Sequence, residues 1–499
     1  MGKTYRVGCK KLNNEGKGEF VFNNSKFAVK NFLPGEKGQI ELIHVKDETY
    51  AKLVSIDTFS KDRIKPDCPV FEHCGGCQLR HVSYEKSLEI KDDMMKELYG
   101  DLYKGHIIGM DNPDNYRDKC FASFKNESEI GHSKRNDNFG NQKKDRGYIA
   151  KKLEDRYYSG KNGIISGLYE ENSHRVIKVS KCLSENKLAN DIIEYVTKVA
   201  NELRIPAYNE DRNDGVLRHI YVRIGHYTNE AMVVIVVGTN DFRDKIKLSK
   251  AITEKFKEVK TVFINYNDRK TSAVLSEKYE LLYGEGYITD KIDDLTFRLS
   301  PSSFYQVNPV QAKKLYSEAV EMAGLKKDDV VLDAYCGIGT ISLLEAKKAK
   351  EVYGVEVNKK AIEDAKINAR INKIENVTFV AEDAGEYMKK CSADNKKMNV
   401  VVLDPPREGC EKAFIDAMMK MEPERIVYIS CNPVTQKRDI DIMKKCGYEI
   451  KEIKAVDMFP FSSHVETVVL LSKKHVNPKA YVEIGVDAEE YYKIKGEKL

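Results

Sequence analysis

Five short, almost wholly apolar runs restrict the fold of this chain more than anything else in it. They lie at 330–334, 352–355, 377–380, 400–403 and 426–429. Each is too short for a helix, and each is separated from the next by a longer stretch of helical period. A strand that is apolar on both faces must be covered on both, so the runs predict a parallel sheet between two layers of helices, a doubly wound α/β domain. Its entry is marked as well. Asn308 reads as an N-cap and Pro309 as the first helical residue, while Ala312, Leu315, Tyr316, Ala319 and Val320 share one buried face.

The chemistry of such sheets sits at the carboxyl ends of their strands. The first run continues Asp333-Ala-Tyr-Cys-Gly-Ile-Gly-Thr340, an acid followed by a turn whose Gly337 and Gly339 let a ligand approach the backbone. The turn is not Gly-x-Gly-x-x-Gly and carries no Gly-Lys-Ser/Thr, which disfavours a dinucleotide or a P-loop phosphate. Glu356 ends the second run, where an acid can accept both hydroxyls of a ribose. Glu382-Asp383 follows the third and could meet an adenine, and Asp404-Pro-Pro-Arg-Glu-Gly409 ends the fourth. This ordered set resembles the class I S-adenosylmethionine-dependent methyltransferases.

The fifth run ends Ser430-Cys-Asn-Pro-Val-Thr435, which puts Cys431 at the sheet edge beside that crevice. A lone strand-end cysteine is usually an inert buried thiol. Here it has a use, because carbon 5 of a pyrimidine is a poor nucleophile. A thiolate that adds to carbon 6 makes carbon 5 reactive, and a base must then remove the carbon-5 proton. Glu466, which opens the apolar stretch Glu466-Thr-Val-Val-Leu-Leu471, is the better base; His464 reads as structural or substrate-orienting. A rival reading uses Asp404-Pro-Pro to hold an exocyclic amine, and it needs no thiol.

Ser303-Phe-Tyr-Gln-Val-Asn308, the glycine turn, Leu403-Asp-Pro-Pro-Arg-Glu-Gly, Ser430-Cys-Asn-Pro-Val-Thr and His464-Val-Glu-Thr together resemble the RNA (uracil-5-)-methyltransferase family. The likeness runs from residue 1 to about 472. It implies S-adenosylmethionine contacts from Gln306, Tyr335, Thr340, Glu356, Asp383 and Asp404, with Cys431 as nucleophile and Glu466 as general base. The substrate it implies is RNA, either 23S rRNA or the tRNA T-loop.

Upstream, residues 1–58 alternate in short runs broken by Gly16, Gly18 and Pro34-Gly35, and predict a small OB-like β-barrel. The resemblance makes this an RNA-binding TRAM domain. Residues 66–300 form a central α/β domain, with a helix over 84–99 and a buried-type run at 231–237. Within it, 125–162 is polar and carries ten Lys/Arg against six Asp/Glu, and reads as an exposed insertion. The catalytic domain spans 301–474, and 475–499 is a tail.

Cys68, Cys74 and Cys77 are spaced Cys-x5-Cys-x2-Cys, too close to coexist as thiolates without a cation. Cys182 is the best fourth ligand and Cys120 a rival, and spacing alone separates neither zinc from a four-iron cluster nor one of these cysteines from the other. The resemblance implies a [4Fe-4S] cluster on Cys68, Cys74, Cys77 and Cys182, and with it the 23S rRNA branch. Eleven cysteines, an odd number, argue against a disulfide framework. No apolar run reaches the ~18 residues of a membrane span, and Met1–Lys11 has no apolar signal region. A cytoplasmic monomer with no membrane partner is expected. The net charge of +5 permits an anionic partner without demanding one.

Overall fold

The computed structural model describes residues 3–45, 48–127, 163–171, 173, 175–269, 273–394 and 396–474. Most of the expected insertion and the whole 475–499 tail fall outside these residues. Lys125 and Asn126, placed by the sequence at the start of that insertion, still belong to a strand, paired with Ile165 and Ile164.

Six strands open the chain: β1 (Thr4–Gly8), β2 (Lys11–Leu12), β3 (Gly18–Phe22), β4 (Ser25–Val29), β5 (Lys37–Val45) and β6 (Glu48–Thr58). They pair as two antiparallel sheets, β1–β5–β6 and β2–β3–β4, and not as one continuous ladder. The inward residues Val7, Phe20, Val29, Phe32 and Ile40 form a single core between them. A tight turn between β2 and β3 projects toward the catalytic domain. Its Gly16 has φ 73°, and a Cβ there would lie 2.9 Å from Gln78 and 3.2 Å from Ser463, so only glycine allows the approach.

The helix Tyr84–Tyr99 begins where Ser83 accepts from the Lys86 N–H, a capping hydroxyl that satisfies one orphan donor. Next come β7 (Lys119–Asn126), β8 (Ile164–Tyr169), β9 (Val176–Lys178), β10 (Leu217–Ile224), β11 (Ala231–Val237), β12 (Val259–Tyr266) and β13 (Tyr279–Gly284). They form a seven-stranded sheet in the order β13–β12–β11–β10–β7–β8–β9. Alternate residues of its middle strands serve different cores. Val233, Ile235 and Val237 pack with the helices Lys187–Glu202 and Lys245–Lys255, while Tyr221, Met232 and Val234 join the core of the next domain. Both faces are covered, which is why 231–237 contains no polar residue.

A hairpin of β14 (Ile288–Ile292) and β15 (Leu295–Leu299) leads on. Asn368 and Asn372 accept from the N–H groups of Arg298 and Thr296, both at 2.8 Å, and tie the hairpin to helix Lys359–Ile371 of the catalytic domain. That domain contains β16 (Val330–Ala334), β17 (Glu351–Glu356), β18 (Val377–Ala381), β19 (Val400–Leu403), β20 (Arg425–Ser430), β21 (Tyr448–Val456) and β22 (Glu466–Lys473). The sheet order is β18–β17–β16–β19–β20–β22–β21. The first five strands are parallel, and β22 inserts antiparallel between β20 and β21. Asn308 caps helix Pro309–Met322 by accepting from the Gln311 N–H. Among the described residues, no helix is long and apolar enough to cross a membrane.

Candidate active site

The strand order reverses at β16, between β17 and β19, and the expected residues gather at that switch point. Asp333 is buried in β16 and accepts from the Ser342 hydroxyl. Tyr335 follows in the left-handed region, φ 70°, with its N–H on the Val355 carbonyl at 2.9 Å. A left-handed tyrosine is strained and persists where the surroundings over-determine it. Gly337 is also left-handed, and the space a Cβ would fill there is empty, which leaves an open cradle. Thr340 is buried at the start of helix Thr340–Ala346. Glu356 ends β17 and accepts from the Asn358 N–H at 2.9 Å, while Asp383 caps helix Ala384–Ala393 through the Glu386 N–H. Gln306 is buried beside the Tyr316 hydroxyl.

The turn after β19 is held by the turn after β20. Asn432 Nδ2 and Thr435 Oγ1 both donate to the Arg407 carbonyl, at 3.1 and 3.0 Å. Below it, the buried Asp439 carboxylate accepts from the Cys410 N–H and the Tyr428 hydroxyl, each at 2.7 Å. These bonds fix where Asp404 and Arg407 sit relative to Cys431.

The register of β20 against β22 pairs Ser430 with Thr467. Cys431 follows the end of β20 and Glu466 opens β22, so the two residues lie at the same end of the strand pair. Burial and the neighbouring Glu466 and Asp404 push the Cys431 thiol up to about 11. Burial and Asp404 push Glu466 up to about 8, and burial pushes Asp404 itself to about 7. The Arg407 guanidinium opposes the rise at both Cys431 and Glu466. Asp333 is raised to about 7 by burial, with Asp404 adding to the rise. Several buried carboxyls within reach of one another suit a cationic ligand, whose charge would return them to the ionised form.

A cavity of about 400 Å³ opens beside Cys431. Arg407, Val434 and His464 line it together with Met94, Met95 and Leu98 of helix Tyr84–Tyr99 and with Asn14 and Glu15 of the N-terminal module. His464 is exposed and stands edge-on to Phe459, ring centres 5.8 Å apart. Desolvation of its ring by the surrounding loop and the cations Arg407, Lys91 and Arg117 lower its imidazole pKa, although the residue keeps an exposed edge. That suits an orienting group better than a proton carrier.

The loop from Phe459 to Glu466 is anchored from two sides. Lys91, wholly buried, pairs with Asp457 and donates to the Phe459 carbonyl at 3.1 Å. The segment just after Cys77 holds the other side. The Gln78 and Leu79 N–H groups both donate to the Phe461 carbonyl, at 3.0 and 2.8 Å. The Arg80 guanidinium stacks 4.2 Å from the centre of the Phe461 ring. The cysteine loop is thereby bonded to the loop that leads into Glu466.

Cys68, Cys74, Cys77 and Cys182 line a single cavity of about 220 Å³. Burial raises the Cys74 thiol to about 11 and the Cys182 thiol to about 12. Among the described residues no three His, Cys, Asp or Glu side chains converge closely enough to hold one metal ion. Cys120 lies apart, fully buried, with its Sγ donating to the Arg117 carbonyl at 3.1 Å.

Sequence reasoning missed three features of the site. Arg407 was visible in Asp404-Pro-Pro-Arg but was given no role. Tyr316 lies on the apolar face of its helix and read as core, although its hydroxyl stands among Gln306, Asp404 and Glu466. The Met94–Leu98 wall gave no signal at all.

The strand order, the glycine turn and the carboxylates around it define a class I S-adenosylmethionine-dependent methyltransferase. Residues 167–474 match the family described as tRNA (uracil-5-)-methyltransferase. An uncharacterised RNA methyltransferase of Oceanobacillus iheyensis is 41% identical over 482 residues, covering 95% of this chain and 97% of that protein. Another, from Caldanaerobacter subterraneus subsp. tengcongensis, is 38% identical, covering 95% and 99%. The crystal structure of the Pyrococcus abyssi tRNA (uracil-54, C5)-methyltransferase with S-adenosyl-L-homocysteine is 25% identical, with a TM-score of 0.70, and covers 94% of this chain and 100% of that one. The chain belongs to the tRNA (uracil-5-)-methyltransferase family and is an S-adenosylmethionine-dependent RNA methyltransferase.

Proposed function

We propose that this enzyme methylates carbon 5 of a uracil in 23S rRNA through a covalent adduct on Cys431. The observation that carries the reading is the β20–β22 register, which sets the thiol at the same strand end as Glu466 beside a cavity of about 400 Å³. The Cys431 thiolate adds to carbon 6, and the displaced electron pair makes carbon 5 an enolate carbon. The bound cofactor, held by Gln306, Tyr335, Thr340, Glu356, Asp383 and Asp404, supplies the methyl group. Glu466 then takes the carbon-5 proton, and the electrons of that C–H bond restore the ring double bond and expel the thiolate. The base must leave its stack to reach Cys431, so the target is a uridine in an accessible element of folded RNA.

The rRNA assignment rests on the cysteine set. Cys68, Cys74, Cys77 and Cys182 would hold a [4Fe-4S] cluster that cross-links the 68–77 loop to the segment around 182. All eleven cysteines are free, in keeping with a reducing cytoplasm, where the enzyme acts as a monomer. Anaerobically purified protein should be brown, with about four irons and four sulfides per chain. Cys182→Ser should lose the colour and Cys120→Ser should keep it; stoichiometric zinc without labile sulfide would remove the cluster.

The tRNA T-loop is the second reading, favoured by the likeness to the Pyrococcus abyssi tRNA enzyme. Mass mapping of 5-methyluridine in RNA from a strain lacking the gene separates the two. The expected result is loss from 23S rRNA with the tRNA T-loop intact. Loss from tRNA alone would move the substrate to the second reading.

A further inference from the structure

The segment that leads into β22 reads Phe459-Pro-Phe-Ser-Ser-His-Val-Glu466. In its middle, Phe461 has φ 60°, in the left-handed region. Bulky side chains are rare there, because the Cβ crowds the backbone. Among the described residues only two aromatic side chains adopt it. One is Tyr335 in the cofactor turn. The other is Phe461, five residues ahead of Glu466. Such a residue persists where its surroundings over-determine it.

The surroundings of Phe461 come from the segment after Cys77. Its carbonyl accepts from the Gln78 and Leu79 N–H groups, at 3.0 and 2.8 Å. Gln78 Oε1 accepts in turn from the Ser463 N–H at 3.3 Å. The Phe461 ring is buried and has two partners. The Arg80 guanidinium stands 4.2 Å from its centre, and the Tyr84 ring packs against it with centres 5.5 Å apart. Arg80 is itself held. Its Nη1 pairs with Asp67 at 3.2 Å and its Nη2 with Asp114 at 2.8 Å, and only 2% of the side chain is exposed. A planar cation fixed through both amino groups presents a fixed face to the ring.

Glu466 depends on its backbone for its place. Burial, Asp404 and Arg407 act on its carboxyl, with no hydrogen bond among these influences. Strand β22 fixes Glu466 on one side, through its pairing with Val456, and the Phe461 loop leads in on the other. We propose that Arg80 and Phe461 are positioning residues for Glu466: the guanidinium–ring contact keeps Phe461 left-handed, and that conformation aims the loop that carries His464 to the Cys431 cavity and ends at Glu466. Neither Arg80 nor Phe461 is among the residues that line that cavity, so both act through Glu466 and not on the RNA. This rests on the carbon-5 reading above.

The test compares wild-type, Arg80→Gln, Phe461→Leu and doubly substituted enzymes on a labelled transcript of the RNA that mass mapping identifies as the substrate. Each single variant should turn over about 10²-fold more slowly, the cost of a small misplacement of a catalytic group. In both, the covalent enzyme–RNA complex should form normally and persist, because only removal of the carbon-5 proton is slowed. S-adenosylmethionine affinity, read by calorimetry, should be unchanged. The double variant should be no slower than either single one, since both changes break the same contact. Wild-type turnover in Phe461→Leu overturns the proposal, and so do losses that multiply in the double variant. A loss confined to Arg80→Gln overturns it too, since Arg80 would then serve the cysteine cavity that it lines. A fall in cofactor affinity that parallels the loss of turnover does the same, because the role would then be structural. Failure of the carbon-5 reading shows separately, as methylation that survives Cys431→Ala.

Discussion

Cys431→Ala should form no covalent RNA complex and transfer no methyl group, whereas Glu466→Gln should accumulate the complex and stall. The two outcomes differ because the residues act at different times. Adduct formation and methyl transfer both precede removal of the carbon-5 proton, so a glutamine at 466 blocks only the last step. Turnover in Glu466→Gln should fall by about 10²–10⁴-fold, the range for loss of a positioned general base. The readout is a denaturing gel of enzyme, labelled RNA and S-adenosylmethionine, with a shifted band for Glu466→Gln and none for Cys431→Ala. Wild-type enzyme should be trapped in the same way by 5-fluorouridine RNA, where fluorine replaces the departing proton. Activity in Cys431→Ala would return the amine-methylase reading of Asp404-Pro-Pro. Normal turnover in Glu466→Gln would pass the role of base to His464. The wild-type rate should rise with pH through about 8, because Glu466, raised to about 8 by burial and Asp404, must be ionised to accept the proton.

Arg407→Gln should cost about 10²-fold in kcat/KM at neutral pH, and the loss should be largely recovered in alkaline buffer. Arg407 is a cation that lowers both the Cys431 thiol and the Glu466 carboxyl against the burial that raises them. Its removal lets both rise further, and each unit costs a factor of ten in the ionised fraction. The Arg407 backbone, which holds Asn432 and Thr435, is untouched by the change. Alkylation of Cys431 by iodoacetamide, followed against pH, measures the thiol directly. Its midpoint should move to higher pH in the variant. An unmoved midpoint with the same loss of activity would show that Arg407 acts on the RNA and not on the thiol.

The strand at 426–429 and the stretch after Glu466 were legible because an apolar run ending in a polar group marks the edge of a buried sheet. Cys431 and Glu466 therefore announced themselves locally. So did Asn308 and Pro309, whose cap chemistry acts over three residues, and the helix at 84–99, found between those limits. The sequence could not show that Cys431 and Glu466 share one strand end. That depends on β22 inserting antiparallel beside β20, a pairing between segments almost 40 residues apart. Nor could it show the N-terminal strands dividing into two sheets, since alternation specifies a face and not a partner.

What the sequence by itself determined is the doubly wound domain and the glycine turn at its switch point, because each is written in residues next to one another. Only the tertiary structure decided what surrounds Cys431. Arg407 had no role in the sequence; the structure holds its carbonyl with Asn432 and Thr435 and brings its charge to bear on Cys431 and Glu466. Spacing left Cys182 and Cys120 as rivals, and the structure lines one cavity with Cys182 and the three cysteines of the 68–77 loop, more than 100 residues upstream. In each case the decisive quantity is an electrostatic or steric relation between distant segments, and folding alone brings those segments together.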